Sequence, residues 1–173
     1  MSRTPFASII LSRVPVIANG MKKYVEASAR QYEAEEQLFV QLLNESHMHE
    51  WQPEQPLVSD KNRLLIGACT WNGYDLQLLD HIEESAHLWD SKFQVDVFNF
   101  DRECKCQADL EKYIPGIGPI SYMFAVGLWV SGELTQTASG PIGRDFAQET
   151  LGLETVRFPT LGLAKLRQTR NGQ

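Results

Sequence analysis

Apolar positions recur at three- and four-residue steps from about Asn19 to Ser46: Met21, Tyr24, Val25, Ala29, Tyr32, Leu38, Phe39, Leu42 and Leu43. That period predicts one long amphipathic helix. Lys22, Lys23, Glu33, Glu35 and Glu36 fall largely on its other side, so the stripe needs a cover, either the following domain or a second copy of the chain. Trp51 to Pro56 carries two prolines and reads as a linker. Beyond Asn62 the period changes. Arg63–Cys69 is a nearly continuous apolar run, as expected of a strand buried on both faces. Tyr74–Trp89 is helical, Phe93–Phe100 is a second strand, and Gln107–Tyr113 is a short helix ended by Ile114-Pro115-Gly116. Ser121–Val130 is the most hydrophobic strand. Ser131-Gly132 supplies a tight turn, Glu133–Ala138 returns antiparallel, and Arg144–Leu151 forms a last helix. The order β-α-β-α-β-β-α sets two parallel strands beside a terminal hairpin, with helices on both faces.

The residues at two turns carry a resemblance. Trp71-Asn72-Gly73-Tyr74-Asp75 follows the first of these strands and opens a helix; Asp101 ends the next strand; Ser131-Gly132-Glu133 turns the hairpin and Gly140 closes it. This pattern, over roughly residues 62 to 153, resembles the thioredoxin-like superfamily, whose members carry Trp-Cys-Gly-Pro-Cys where Trp71–Asp75 stands. The resemblance implies an α/β fold with a central mixed sheet of about four strands flanked by helices. It divides the chain into an N-terminal helical extension and linker (1–58), a thioredoxin-like domain (59–155) and a basic C-terminal tail (156–173). The family's two cysteine positions hold Asn72 and Asp75, which can neither attack a disulfide nor release one. The family's cis-proline falls on Pro119 when counted from Tyr113. Counted back from the turn it falls on Phe124, because the segment from Pro119 to Gly132 is longer than the family pattern.

With the dithiol gone, the resemblance implies a non-catalytic protein that binds a partner, as an adaptor, assembly factor or complex subunit. The partner-binding surface would be Trp71, Asn72, Gly73, Tyr74, Asp75 and Pro119, with part of Gly116–Tyr122, holding an extended segment by backbone hydrogen bonds. Two other readings stay open. Cys69 reads as the end of a buried strand, yet it could pair with Cys104 or Cys106 beyond the neighbouring strand, with Arg102 and Lys105 lowering a thiol pKa. Alternatively, the N-terminal helix forms a homodimer or anchors the chain in a complex.

The remaining chemistry is sparse. His47 and His49 with Glu45 and Glu50 sit at a helix end, and Cys104-Lys105-Cys106 lacks a second close cysteine pair, so neither makes a metal site. Asp80, His81 and Glu84 lie mostly on a polar helix face. Gly116-Ile117-Gly118-Pro119 lacks the strand-to-helix setting of a dinucleotide loop. No cofactor is implied. A net charge of −6 with pI near 5.2 argues against nucleic acid as partner, despite Arg157, Lys165, Arg167 and Arg170 near the C-terminus. Three cysteines suit a reducing compartment. The apolar Phe6–Leu11 segment is interrupted by Arg13 and Pro15, and no run of about 18 apolar residues exists. The expectation is a cytoplasmic protein without signal peptide or membrane span.

Overall fold

The computed structural model describes residues 5–6, 8–11, 21–52, 60–120 and 123–156. In chain order the elements are α1 (Ser8–Leu11), α2 (Met21–Asn44), β1 (His49–Glu50), β2 (Asn62–Ala68), α3 (Gly73–Glu84), α4 (Ala86–Trp89), β3 (Phe93–Asn99), α5 (Phe100–Glu103), α6 (Gln107–Tyr113), β4 (Ala125–Val130), β5 (Glu133–Ser139) and α7 (Gly140–Thr150). Pro53–Pro56 of the expected linker, Ser121, Tyr122 and the basic tail from Arg157 onward lie outside the described residues.

The strands form one mixed sheet in the order β1-β3-β2-β4-β5. β1, β3 and β2 are parallel, β4 runs antiparallel to β2, and β5 antiparallel to β4. Successive side chains of a strand point to opposite faces, so the central strand β2 feeds two cores. Leu64, Ile66 and Ala68 join Val95 and Val97 under α2, α3 and α7, which supply Phe39, Leu42, Leu43, Leu76, Leu79, Ile82 and Ala147. Leu65 and Cys69 face the other way, toward Phe98, Phe100, Cys104, Leu110 and Ile114. Gly67 is small for a reason. A Cβ there would lie 2.4 Å from Phe98 Cζ, whose ring stacks on Tyr113 with centroids 4.5 Å apart.

The α/β class and the flanking helices agree with the pattern of the sequence, and four differences have local causes. The sheet has a fifth strand, β1, where a helix end and linker were expected. Two residues are too few to display an alternation, and the pairing continues through Trp51 N–H to the Val97 carbonyl. The Tyr74–Trp89 helix is broken at Ser85, whose N–H donates to both His81 and Ile82 carbonyls. α5 follows β3 because the Asn99 side chain accepts from the Asp101 and Arg102 N–H groups. The last helix starts at Gly140 rather than Arg144, with Pro141 in its first turn, where a missing N–H costs nothing.

From Leu38 onward the apolar stripe of α2 is covered by its own chain. Phe39, Leu42 and Leu43 are buried in the core shared with β2 and α3, and Phe39 meets Phe6 edge-on at 5.9 Å. Arg102 ties the same helix to the sheet, pairing with Glu36 of α2 at 2.8 Å, Glu50 of β1 at 3.3 Å and its neighbour Glu103. No described helix is long and apolar enough to cross a membrane.

Candidate functional site

The antiparallel pairing of β4 with β2 and of β5 with β4 places the loop after β2 beside the start of β4 and the end of β5, because Gly67 pairs with Ala125 and Ala125 with Ser139. Residues 69–75, Met123, Phe124 and the first turns of α7 therefore meet at one end of the sheet. Asn72 is the N-cap of α3, its Oδ1 accepting from the Tyr74 N–H at 3.0 Å. Asp75 stands in the first turn, where a carboxylate faces the positive end of the helix dipole. Asn72 and Asp75 thus both hold the helix start.

Asp75 is fully buried. Its Oδ2 accepts from the Cys69 N–H at 3.0 Å, and its Oδ1 accepts from Arg144 Nε at 2.8 Å and Nη2 at 2.7 Å. The guanidinium lies 5.7 Å from the Tyr74 ring and 5.2 Å from the Phe124 ring. Burial pushes the Asp75 carboxyl up to about 6, against the downward pull of Arg144 and the Cys69 N–H. Nothing in the sequence marked Arg144 as a partner of Asp75; residues so far apart in the chain leave no shared pattern.

Two apolar side chains at this end of the sheet are exposed: Trp71 is 42% and Met123 36% accessible. Gly116–Ile120 runs nearby as a loop, anchored where Gln107 Nε2 donates to the Gly118 carbonyl, with Gly116 and Gly118 at φ of 72° and 73°. Thr70–Tyr74, Gly116–Ile120, Met123, Phe124 and Gly140–Gly143 contain no ionisable acid or base apart from the Tyr74 phenol. No cis peptide bond occurs among the described residues, so the bonds preceding Pro119 and Phe124 are both trans; the family's cis-proline is absent in either register.

All three cysteines are free. Cys69 is buried and its Sγ donates to the Met123 carbonyl at 3.1 Å. Burial, then the negative charges of Asp75 and Asp101, push its thiol far above the ordinary range. Cys104 is buried and pushed up to about 12, by burial first and then by Asp109 and Glu103. The expected help from Arg102 and Lys105 is outweighed. Arg102 is engaged by three glutamates, and the Lys105 ammonium donates to the Asp101 carbonyl. Cys106 is exposed, with Sγ 3.4 Å from Asp109 Oδ2. A neutral alkylating reagent at pH 7.5 should therefore label Cys106 in the native protein and reach Cys69 and Cys104 only after unfolding. Peptide mass mapping reads this directly, and native labelling of Cys69 would contradict the burial.

The candidate residues Asp80, His81, His47 and His49 have structural partners. Asp80 Oδ1 accepts from the Phe6 N–H at 2.7 Å, and His81 Nε2 donates to the Glu154 carbonyl at 3.2 Å. His47 pairs through Nδ1 with Glu83 at 3.0 Å, joining the end of α2 to α3, and His49 lies 4.0 Å from the buried Asp96. Glu84 is exposed. Among the described residues no three His, Cys, Asp or Glu side chains are grouped to hold a metal ion.

Comparison with protein-family models finds no matching family, and comparison with curated proteins finds no relative.

Proposed function

We propose that the chain is a thioredoxin-like protein without dithiol chemistry, and that it binds a protein partner through the surface of Trp71 and Met123. The parallel β2–β3 pair beside the antiparallel β4–β5 hairpin is the core arrangement such a fold requires, which supports the first half of the reading. The observation that carries the second half is the two exposed apolar side chains, Trp71 and Met123, at an uncharged loop, on a chain whose net charge is −6. Exposed apolar groups gathered beside backbone loops suit an extended peptide segment.

The test uses a displayed library of random peptides panned on the purified protein. Enrichment of uncharged, apolar sequences is expected, with at least a tenfold loss of binding in Trp71→Glu, and unchanged binding in Cys69→Ser. Failure to enrich any sequence, or enrichment indifferent to Trp71→Glu, sinks the proposal.

A thiol-based reading, with Cys69 opposite Cys104 or Cys106, has one observation in its favour. Cys69 and Cys104 belong to the same apolar cluster below this loop. Its weakness is that both thiols are buried and held protonated. Association through α2 has less support, since Phe39, Leu42 and Leu43 are already used inside the chain.

A further inference from the structure

Met123 stands just before β4, and the backbone there is held at two successive carbonyls. Its own carbonyl accepts from the Cys69 thiol at 3.1 Å, and that of Phe124 accepts from the Gly140 N–H at 3.0 Å. Phe124 is fully buried, and a Cβ added to Gly143 would lie 3.1 Å from its ring, so the interior at this point is already filled. The Met123 thioether is left at the surface, beside the loop of Trp71. Met48, the other methionine whose side chain is described, is enclosed in the core under α2 and α3. The nearest competing sulfur is poorly placed to react. Cys69 is buried, and a thiol kept in its neutral form is a weak nucleophile.

We propose that Met123 is a reversible oxidation site, at which a hydroperoxide converts the thioether to a sulfoxide and makes the surface beside Trp71 polar while the fold stays intact. The sulfur lone pair attacks one peroxide oxygen and the O–O bond breaks. With hydrogen peroxide the other oxygen leaves as water; sulfur gives up two electrons and the peroxide takes them. Return requires a sulfoxide reductase, which releases the oxygen as water while a dithiol becomes a disulfide. The sulfoxide is a polar acceptor set into a surface that otherwise carries no ionisable acid or base but the Tyr74 phenol. At Met48 the same oxygen would stand in an apolar core without a donor, at a large cost to the fold. Burial therefore confines the mark to the surface. Its effect on a partner rests on the partner-binding reading; the oxidation and the change of surface polarity do not.

The test exposes native protein to hydrogen peroxide, removes the peroxide, and adds a dithiol that reopens oxidised cysteines but leaves sulfoxides. Peptide mass mapping then follows each methionine. Met123 should gain one oxygen at least about tenfold faster than Met48, and the two should react alike in urea. The urea midpoint of the oxidised protein should match that of untreated protein. On a hydrophobic-interaction column the oxidised protein should elute earlier, whereas Met123→Leu should elute in one place before and after peroxide. Equal native rates at Met123 and Met48 overturn the proposal. So does a urea midpoint that oxidation lowers in the native protein but not in Met123→Leu, or an elution shift that persists in Met123→Leu. Peptides selected on the native protein should bind about tenfold more weakly once Met123 is oxidised, and should bind Met123→Leu equally before and after treatment. Binding indifferent to the oxidation overturns the effect on a partner. If no peptide is selected, the partner reading fails, while the rates and the column still decide the oxidation site.

Discussion

Replacing Arg144 with methionine should cost the fold about 3–5 kcal/mol at pH 7.5, the range for removing one partner of a buried ion pair. The cost should be clearly smaller at pH 5. At the higher pH the native protein carries an ionised Asp75 whose only facing cation among the described residues is Arg144. Without it, the carboxylate would be buried alone or would take up a proton, and either route costs free energy. At pH 5 the carboxyl is already mostly neutral in the native chain, so the guanidinium has less charge to balance. The sign for the native protein alone is the reverse of ordinary acid denaturation. Asp75 is raised in the folded state, so its contribution to stability is greatest below the unfolded value near 3.8 and declines as pH climbs to about 6. The full span is about 3 kcal/mol. Urea unfolding of native protein and Arg144→Met at both pH values measures all of this. An equal cost at the two pH values would mean that Arg144 acts through packing on Tyr74 and Phe124 rather than through charge.

Trp89→Ala should cost about 3–5 kcal/mol at either pH, as large-to-small changes of buried aromatic residues do. Trp89 is fully buried in the core of α2, α3 and β3. Its Nε1–H also donates to the Ile82 carbonyl at 2.8 Å, across the break between α3 and α4 at Ser85. Two losses are therefore combined: a large cavity, and a buried carbonyl deprived of one donor. Trp89→Phe separates them, since it keeps most of the volume and loses only the hydrogen bond; it should cost about 1–3 kcal/mol. Urea denaturation midpoints decide, and a cost under about 1 kcal/mol for Trp89→Ala would mean that the core closes over the gap.

How much of this was legible in the sequence follows from where the forces lie. β2, β3 and α6 have near their observed limits in the apolar pattern, because burial on a sheet face or helix stripe imposes a period on neighbouring residues. β1 was not legible. His49 and Glu50 have polar side chains and gain their place from β3, which lies more than forty positions further along the chain. The break at Ser85 was hidden for a similar reason: the stripe of Leu76, Leu79, Ile82 and Ala86 continues across it, and only the Trp89 indole and the doubled Ser85 bond mark it. At the candidate site, the sequence located the loop of Trp71 to Asp75 but not its partners. Met123 and Arg144 come from segments that meet the loop only through the antiparallel register of β4 and β5.

The occupation of position 75 also bears on how this chain can change over time. A cysteine placed at 75 would bring a thiol to the loop, but it would leave the Arg144 charge without an anion and the Cys69 N–H without its oxygen acceptor. Asn72 would have to give up the helix cap as well before a second thiol could stand beside it. Each step alone lowers stability, and only the set together with a new residue at 144 restores a satisfied interior. The loop is thus entrenched. A change at Asp75 or Arg144 alone passes through a less stable intermediate, so the two residues should be exchanged together or not at all.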